Sequence, residues 1–239
     1  MHIGISGPIA SGKSTLAKSL VAVFEVMDIK ARIVPFAEDL KWMVGLYGKD
    51  TMLQDLRVFF RRLNYPEDVI SHAMLNVLHA MIMYPPVDGV KPRKLLQYIG
   101  TEVGRDVVDE DLWVSAVQQR IKGDSINQYF ISDDLRFPNE AEAVDYHVQI
   151  VVDSDDGLSA KAYEARKAMY PPQYFASDHQ SEQEQLPLPN YSLPANFTTV
   201  EVVRLAKAIN HTHKAKGVFT ADTHGTLTPL LVKRSIPRY

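Results

Sequence analysis

The segment that most constrains this 239-residue chain lies near its start, where residues 7–14 read GPIASGKS and match the phosphate-binding pattern G-x-x-x-x-G-K-[ST]. A short apolar run at 3–6 precedes the loop and predicts a strand, and apolar residues at helical spacing follow it over 16–26. A strand, a glycine loop and a helix in this order direct backbone N–H groups at phosphate oxygens. The sequence therefore predicts a nucleoside triphosphate site in an α/β fold.

The side chains of this loop have separate tasks. Glycine at both fixed positions permits backbone conformations and close approaches that a side chain would hinder. The lysine supplies a mobile positive charge for the β- and γ-phosphates, and the hydroxyl that follows it is a natural Mg²⁺ ligand. We therefore expect the ATP-binding residues to be Gly7, Ala10, Ser11, Gly12, Lys13, Ser14 and Thr15.

The composition is that of an ordinary soluble globular protein, with 46% hydrophobic and 23% charged residues. The absence of cysteine excludes disulfides and zinc–thiolate sites. A formal net charge of −3 provides no basic field for nucleic acid, and no apolar run reaches the ~20 residues that span a bilayer. Because Met1 and His2 lead directly into the first strand, we expect no signal peptide. The expectation is a cytoplasmic protein with no nucleic-acid or membrane partner.

Alternating strand and helix patterns predict one α/β domain over 1–239, with the P-loop kinase fold. Further strands are predicted at 30–36, 128–133, 147–153 and 191–193. Such alternation indicates a central, mainly parallel five-stranded sheet flanked by helices, with right-handed crossovers. Additional helices are predicted at 38–46, 53–63, 66–83, 94–100, 111–121, 138–146 and 198–213. We expect a helical insertion over 37–127, a lid over 154–189 and an irregular tail over 214–239.

Polar residues cluster where the second and third strands end, which is where sites form in parallel sheets. Phe36 and Lys41 follow the second strand. Asp133 follows the third strand and is expected near the loop lysine and Mg²⁺, with Asp134 beside it as a structural cap. Arg136 is placed to neutralise charge on the transferring group or to hold the acceptor.

The insertion carries four candidate ligands of a second substrate. Gln97 offers both a donor and an acceptor to a base edge, and Thr101 follows it by four residues. Arg105 can hold a phosphate through two parallel hydrogen bonds. Trp113 either stacks on a base or packs in the core.

These motifs resemble the phage-type deoxynucleoside monophosphate kinases, within the P-loop nucleoside monophosphate kinase group. The pair L-L-Q-x-x-G-T-E and D-x-R-F-P-N-E is far more specific than the loop alone. The resemblance implies Mg²⁺-dependent transfer of the ATP γ-phosphate to a deoxynucleoside 5′-monophosphate, in support of dNTP supply. The matching stretches, in the order of that group, are 7–15, 36–41, 95–105 with Trp113, 133–140 and 178–182.

The roles of the candidate residues follow from their chemistry and position, taken together with this resemblance. The insertion would hold the acceptor and the lid would close over it, with His179 and Glu182 ordering the lid. Ser14 and Asp133 would be the metal ligands. The catalytic residues would be Lys13, Asp133, Arg136 and Arg166. The substrate-binding residues would be Phe36, Lys41, Gln97, Thr101, Arg105, Trp113, Asp133 and Arg136.

Two alternatives stay open at this point. A P-loop kinase can act on another acceptor, such as dephospho-coenzyme A or a small alcohol, and Asp133 or Glu38 could then serve as the base. A non-catalytic nucleotide-binding switch is the other alternative, although the chain lacks the N-K-x-D motif that reads guanine in switch GTPases. The accepted base is open, and a homodimer is an option because related kinases can pair through insertion helices.

Overall fold

Five parallel strands form the central sheet of the protein. The computed structural model describes residues 1–46, 51–85, 92–152, 158–169 and 185–220, with the backbone alone over 216–220. The sheet order is β2-β3-β1-β4-β5, and each neighbouring pair is parallel. The predicted α/β class and five-stranded sheet are confirmed. The strands are β1 (His2–Ser6), β2 (Ala31–Ile33), β3 (Tyr129–Ser132), β4 (Tyr146–Val151) and β5 (Tyr191–Pro194).

Helices cover both faces of this sheet. The described helices are α1 (Lys13–Val26), α2 (Glu38–Gly45), α3 (Met52–Arg62), α4 (Glu67–Met83), α5 (Arg93–Tyr98), α6 (Leu112–Lys122), α7 (Pro138–Glu142), α8 (Leu158–Lys167) and α9 (Thr199–Thr220). A π-helical segment, Ile99–Val108, continues α5. No helix within the described ranges is long and apolar enough to cross a membrane.

The alternation of side chains along β3 divides the interior into two cores. Tyr129 and Ile131 face α1 and α9, where they pack with buried residues such as Phe24 and Leu205. Phe130 points to the opposite face and joins the core formed by the helices between β2 and β3. The first core holds the loop between β1 and α1 in position, and the second core supports the helices between β2 and β3.

The second strand is shorter than the predicted range of 30–36. Val34 still donates its backbone N–H to Ile131 of β3 (2.8 Å), but Pro35 has no N–H to contribute. The backbone N–H groups of Phe36 and Ala37 then donate to Asp134 instead of to the sheet. The chain therefore leaves the sheet early and enters α2 at the sheet's carboxyl edge.

Three other boundaries differ from the predictions. The helix expected at 94–100 continues in π-helical form to Val108, and the final helix continues to Thr220. The helix expected at 138–146 ends at Glu142, because residues from Tyr146 onward pair with β1 and β5. The motif at 178–182, most of the predicted lid and the tail beyond 220 lie outside the described residues.

Candidate active site

The glycine loop between β1 and α1 adopts a conformation that requires its two fixed glycines. Gly7 has φ +139° and Gly12 has φ +103°, in the region that side chains disfavour. A Cβ atom on Gly7 would also lie 2.6 Å from the backbone oxygen of Ile150 on β4. Ala10 is a third residue with positive φ, at 64°. The loop therefore wraps closely against β4, as a cradle for phosphate must.

Lys13 and Ser14 begin α1 at the mouth of this loop. The Lys13 Nζ group donates to the backbone oxygens of Gly7 and Pro8, each at 2.7 Å. Its ammonium group therefore lies over the cradle. Ser11 is fully buried, and its Oγ atom has no hydrogen-bond partner among the described residues.

Arg166 of α8 also contacts the loop, although it is remote in sequence. Its Nε atom donates to the Ala10 oxygen (3.1 Å) and its Nη2 atom to the Ser11 oxygen (3.2 Å). The same Nη2 atom donates to the Ala195 oxygen just after β5. A guanidinium in this position adds positive charge beside the phosphate cradle, where the sequence predicted an arginine contributed by the lid.

A cavity of about 390 Å³ opens beside the loop and extends under the helices that follow β2. Most of the predicted site residues line it, both those of the ATP site and those assigned to the acceptor. These lining residues are Ala10, Lys13, Ser14, Phe36, Lys41, Gln97, Thr101, Arg105, Trp113, Asp133 and Arg136. The remaining predicted residues, Gly7, Ser11, Gly12, Thr15 and Arg166, are not in its wall.

Asp134 fixes the start of α2 at the edge of the cavity. Its two carboxylate oxygens accept the backbone N–H groups of Phe36 (2.8 Å) and Ala37 (3.0 Å). Burial raises the pKa of this carboxyl, and nearby Lys41 opposes the rise. Asp134 thus has the geometry of the structural cap expected from the sequence, and it anchors the helix that carries Lys41.

The π-helical segment and Trp113 meet in a close contact behind the cavity wall. The indole Nε1 group donates to the Gly100 oxygen at 2.8 Å. A Cβ atom on Gly104 would lie 2.7 Å from the indole Cζ2 atom, and one on Gly100 would lie 2.9 Å from Leu40 Cδ2. Glycine at both positions therefore allows the segment to approach α2 and α6 and to hold Trp113 in place.

Arg105 is buried and is bonded to protein groups on several sides. Its Nη1 atom donates to the Glu110 oxygen (2.9 Å) and to Asn139 Oδ1 (3.2 Å), and its Nη2 atom donates to Glu140 Oε1 (2.5 Å). The guanidinium carbon lies 3.6 Å from the centre of the Phe137 ring. Burial lowers the pKa of Arg105, and Glu140 acts in the opposite direction. Its predicted role as a phosphate clamp stays a prediction.

Two charged residues of the cavity wall, Glu140 and Arg93, were not predicted as site residues from the sequence. Glu140 ends the D-x-R-F-P-N-E motif, but its partner Arg105 is 35 residues away in the sequence, and no local spacing connects the two. Burial raises the pKa of Glu140, and the positive charge of Arg105 opposes that rise. Arg93 also lines the cavity, and its position four residues before Gln97 on α5 was the available signal.

Glu38 is poorly placed for the alternative role of a catalytic base. It is absent from the lining of the cavity described above, and its carboxylate pairs with Arg120 of α6.

Asp133 does line the cavity, together with Ser14. A serine hydroxyl and one carboxylate suit Mg²⁺, which keeps waters and binds substrate phosphates besides a few protein oxygens. Within the described ranges, no group of three or more histidine or acidic side chains is arranged so that it could hold a metal ion.

Comparison with known proteins gives a match to a phage enzyme over part of the chain. No protein-family model matches the chain. A deoxynucleoside-5′-monophosphate kinase of Escherichia phage T5 is 29% identical over 154 residues. That alignment covers 64% of this chain and 52% of the relative, so the chain spans about half the relative's length.

A solved structure, a gluconokinase from Sinorhizobium meliloti 1021, aligns with a TM-score of 0.41 at 15% identity. The alignment covers 92% of this chain and 97% of that chain, but similarity at this level is too low to bear on function. The glycine loop, the parallel sheet and the similarity to the phage enzyme together support a kinase of the P-loop type.

Proposed function

We propose that this protein transfers the γ-phosphate of ATP to a deoxynucleoside 5′-monophosphate. The observation that carries the proposal is the cavity of about 390 Å³, because it joins Lys13 and Ser14 of the loop to an aromatic and cationic wall. The similarity to the phage T5 enzyme supports the same acceptor class.

The loop side of the cavity suits the triphosphate. The backbone N–H groups of the loop and the start of α1 provide a cradle for phosphate oxygens. Lys13 adds a mobile charge, and Arg166 adds a second charge from α8. Ser14 and Asp133 would hold Mg²⁺, which supplies further neutralisation of the β- and γ-phosphates when it is bound.

The opposite wall suits a nucleotide with one phosphate. Lys41, Arg93 and Arg136 bring positive charge to it, while Phe36 and Trp113 bring flat apolar surface. Gln97 adds an amide that can both donate to and accept from a base edge. This combination of cations, aromatic rings and an amide matches the three parts of a nucleoside monophosphate.

The reaction needs no strong base with this acceptor. A phosphate monoester is already anionic near neutral pH, so its oxygen can attack the γ-phosphorus directly. The chain's contribution is then alignment of the two phosphates and neutralisation of charge by Lys13, Arg136 and Arg166. Closure over the site would exclude water, which would otherwise accept the phosphate.

The test is a product assay with purified protein, ATP and Mg²⁺. Each deoxy- and ribonucleoside monophosphate is supplied separately, and ADP and nucleoside diphosphate are quantified. The proposal expects diphosphate from one or a few deoxynucleotides, with one ADP per diphosphate. ADP formation with dephospho-coenzyme A or a small alcohol, and not with any nucleotide, would instead identify a hydroxyl acceptor.

A further inference from the structure

One buried carboxylate connects two arginines of the proposed acceptor wall. Glu140, only 3% exposed, uses its Oε1 atom to accept from Nη2 of Arg105 at 2.5 Å. Its Oε2 atom accepts the backbone N–H of Arg136 (2.8 Å) and of Phe137 (3.2 Å). The same side chain therefore fixes a guanidinium and the turn from which a second arginine extends.

The rest of the network holds Arg105 against the protein. Asn139 accepts from the Arg105 guanidinium, and its own amide donates to the Glu110 oxygen (3.0 Å) and to Asp111 Oδ1 (2.8 Å). The Phe137 ring covers the guanidinium plane. The Arg105 guanidinium is therefore held at its edge by hydrogen bonds and on its face by the Phe137 ring.

The charges in this network also balance. Arg105 and Glu140 are both buried and form a close ion pair, so together they add little net charge to the cavity. Arg136, which also lines the cavity, has its backbone bonded by Glu140. The pair is therefore better placed to orient Arg136 than to bind phosphate directly.

We propose that Glu140 and Arg105 form a positioning pair that fixes the Arg136–Phe137 turn, so that Arg136 binds the phosphate of the acceptor. This inference rests on the proposed function, since it assigns the acceptor's phosphate to one side of that same cavity. It also gives Arg105 an indirect role in place of the clamp expected from its sequence.

The kinetic test compares Glu140→Gln with the matched control Glu142→Gln, an exposed glutamate on the same helix. Loss of the pair should raise the acceptor KM by about tenfold or more and change the ATP KM by less than about twofold. Glu142→Gln should leave both constants unchanged. An acceptor KM in Glu140→Gln equal to that of the wild type would overturn the proposal.

A second variant separates positioning from a loss of folding. Arg105→Met combined with Glu140→Gln removes both buried charges together, which avoids leaving one of them unpaired. If the two residues act as a unit, the double variant should have an acceptor KM no higher than Arg105→Met alone. If the factors by which the two single substitutions raise the acceptor KM multiply in the double variant, the residues act independently and the proposed pair is wrong.

A spectroscopic readout keeps this inference distinct from the proposed function. The Nε–Hε resonance of Arg105, assigned by its loss in Arg105→Lys, should show a rigid side chain in the wild type and a mobile one in Glu140→Gln. If wild-type protein phosphorylates no nucleoside monophosphate, the proposed function fails, and this resonance still tests the pair. An equally rigid Arg105 in Glu140→Gln would refute positioning by Glu140.

Discussion

Replacement of Gly104 by alanine tests whether the π-helical segment holds Trp113 in the cavity wall. The new Cβ atom would lie 2.7 Å from Trp113 Cζ2 and 3.0 Å from Cε2, while the Ile99 oxygen lies at 3.1 Å. The indole ring is rigid and only 4% exposed, so it cannot simply rotate into solvent. Either the ring or the segment must shift.

The cost of this shift follows from three contributions. Overpacking of a filled core costs about 1–3 kcal/mol, and a weakened bond between Trp113 Nε1 and Gly100 adds about 1 kcal/mol. The higher helix propensity of alanine returns about 1 kcal/mol. We therefore expect Gly104→Ala to lower the free energy of unfolding by about 1–3 kcal/mol. The acceptor KM should rise and the ATP KM should not.

The assay is urea unfolding at equilibrium, followed by circular dichroism, with Gly45→Ala as the matched control. A Cβ atom on Gly45, at the end of α2, would meet no atom of the described residues within 4 Å. The control should therefore gain about 0.5–1 kcal/mol from helix propensity. A Gly104→Ala protein as stable as wild type, or more stable, would refute the close packing on Trp113.

Three further variants examine the triphosphate side and the sheet. Lys13→Ala should lower phosphoryl transfer at least about a hundredfold, with an unchanged unfolding midpoint; normal turnover would contradict the assigned loop. Arg166→Ala should raise the ATP KM and leave the acceptor KM unchanged in steady-state kinetics, because the Arg166 guanidinium donates to the loop and to Ala195. Burial lowers the pKa of His2 from 6.5 to about 4, so the unfolded state binds more protons between these pH values. Wild-type stability should therefore fall on acidification through that window by up to about 3 kcal/mol. In urea unfolding, the stability difference between wild type and His2→Gln should shrink from pH 7 to pH 4, and a constant difference would exclude this role of His2.

Local patterns were sufficient to predict the fold and most of the cavity wall. The loop pattern specifies both its conformation and the strand and helix that flank it, so the position of Lys13 follows from the sequence. Asp134 was expected as a cap because it follows a strand, and it does accept two backbone N–H groups. Gln97 and Trp113 were expected at the site from their side-chain chemistry and from the resemblance to the phage-type kinases, and both line the cavity.

What the sequence did not predict depends on contacts between distant residues. The bond between Glu140 and Arg105 is set by the packing of α7 against the π-helical segment, and no periodic pattern carries that information. The helix through Gly104 continued because a glycine there fits against Trp113, whereas propensity alone predicted an end at 100. Likewise, Arg105 meets its hydrogen-bond partners within the protein only when the helices pack together.

Steady-state kinetics should distinguish the triphosphate side of the site from the acceptor side. Lys13 and Arg166 touch the loop, so substitutions there should act on ATP or on the chemical step. Glu140 and Gly104 support the opposite wall, so their substitutions should act on the acceptor KM. If each side binds its own substrate, variants from the two sides should combine additively.

The most direct measurement of the central claim is formation of nucleoside diphosphate from ATP and each deoxynucleoside monophosphate in turn, with Lys13→Ala as the inactive control. We expect diphosphate and ADP in equal amounts for at least one deoxynucleotide, and neither product with the variant. ADP released at the same rate with and without every acceptor, or no ADP at all, would contradict the assignment as a deoxynucleoside monophosphate kinase.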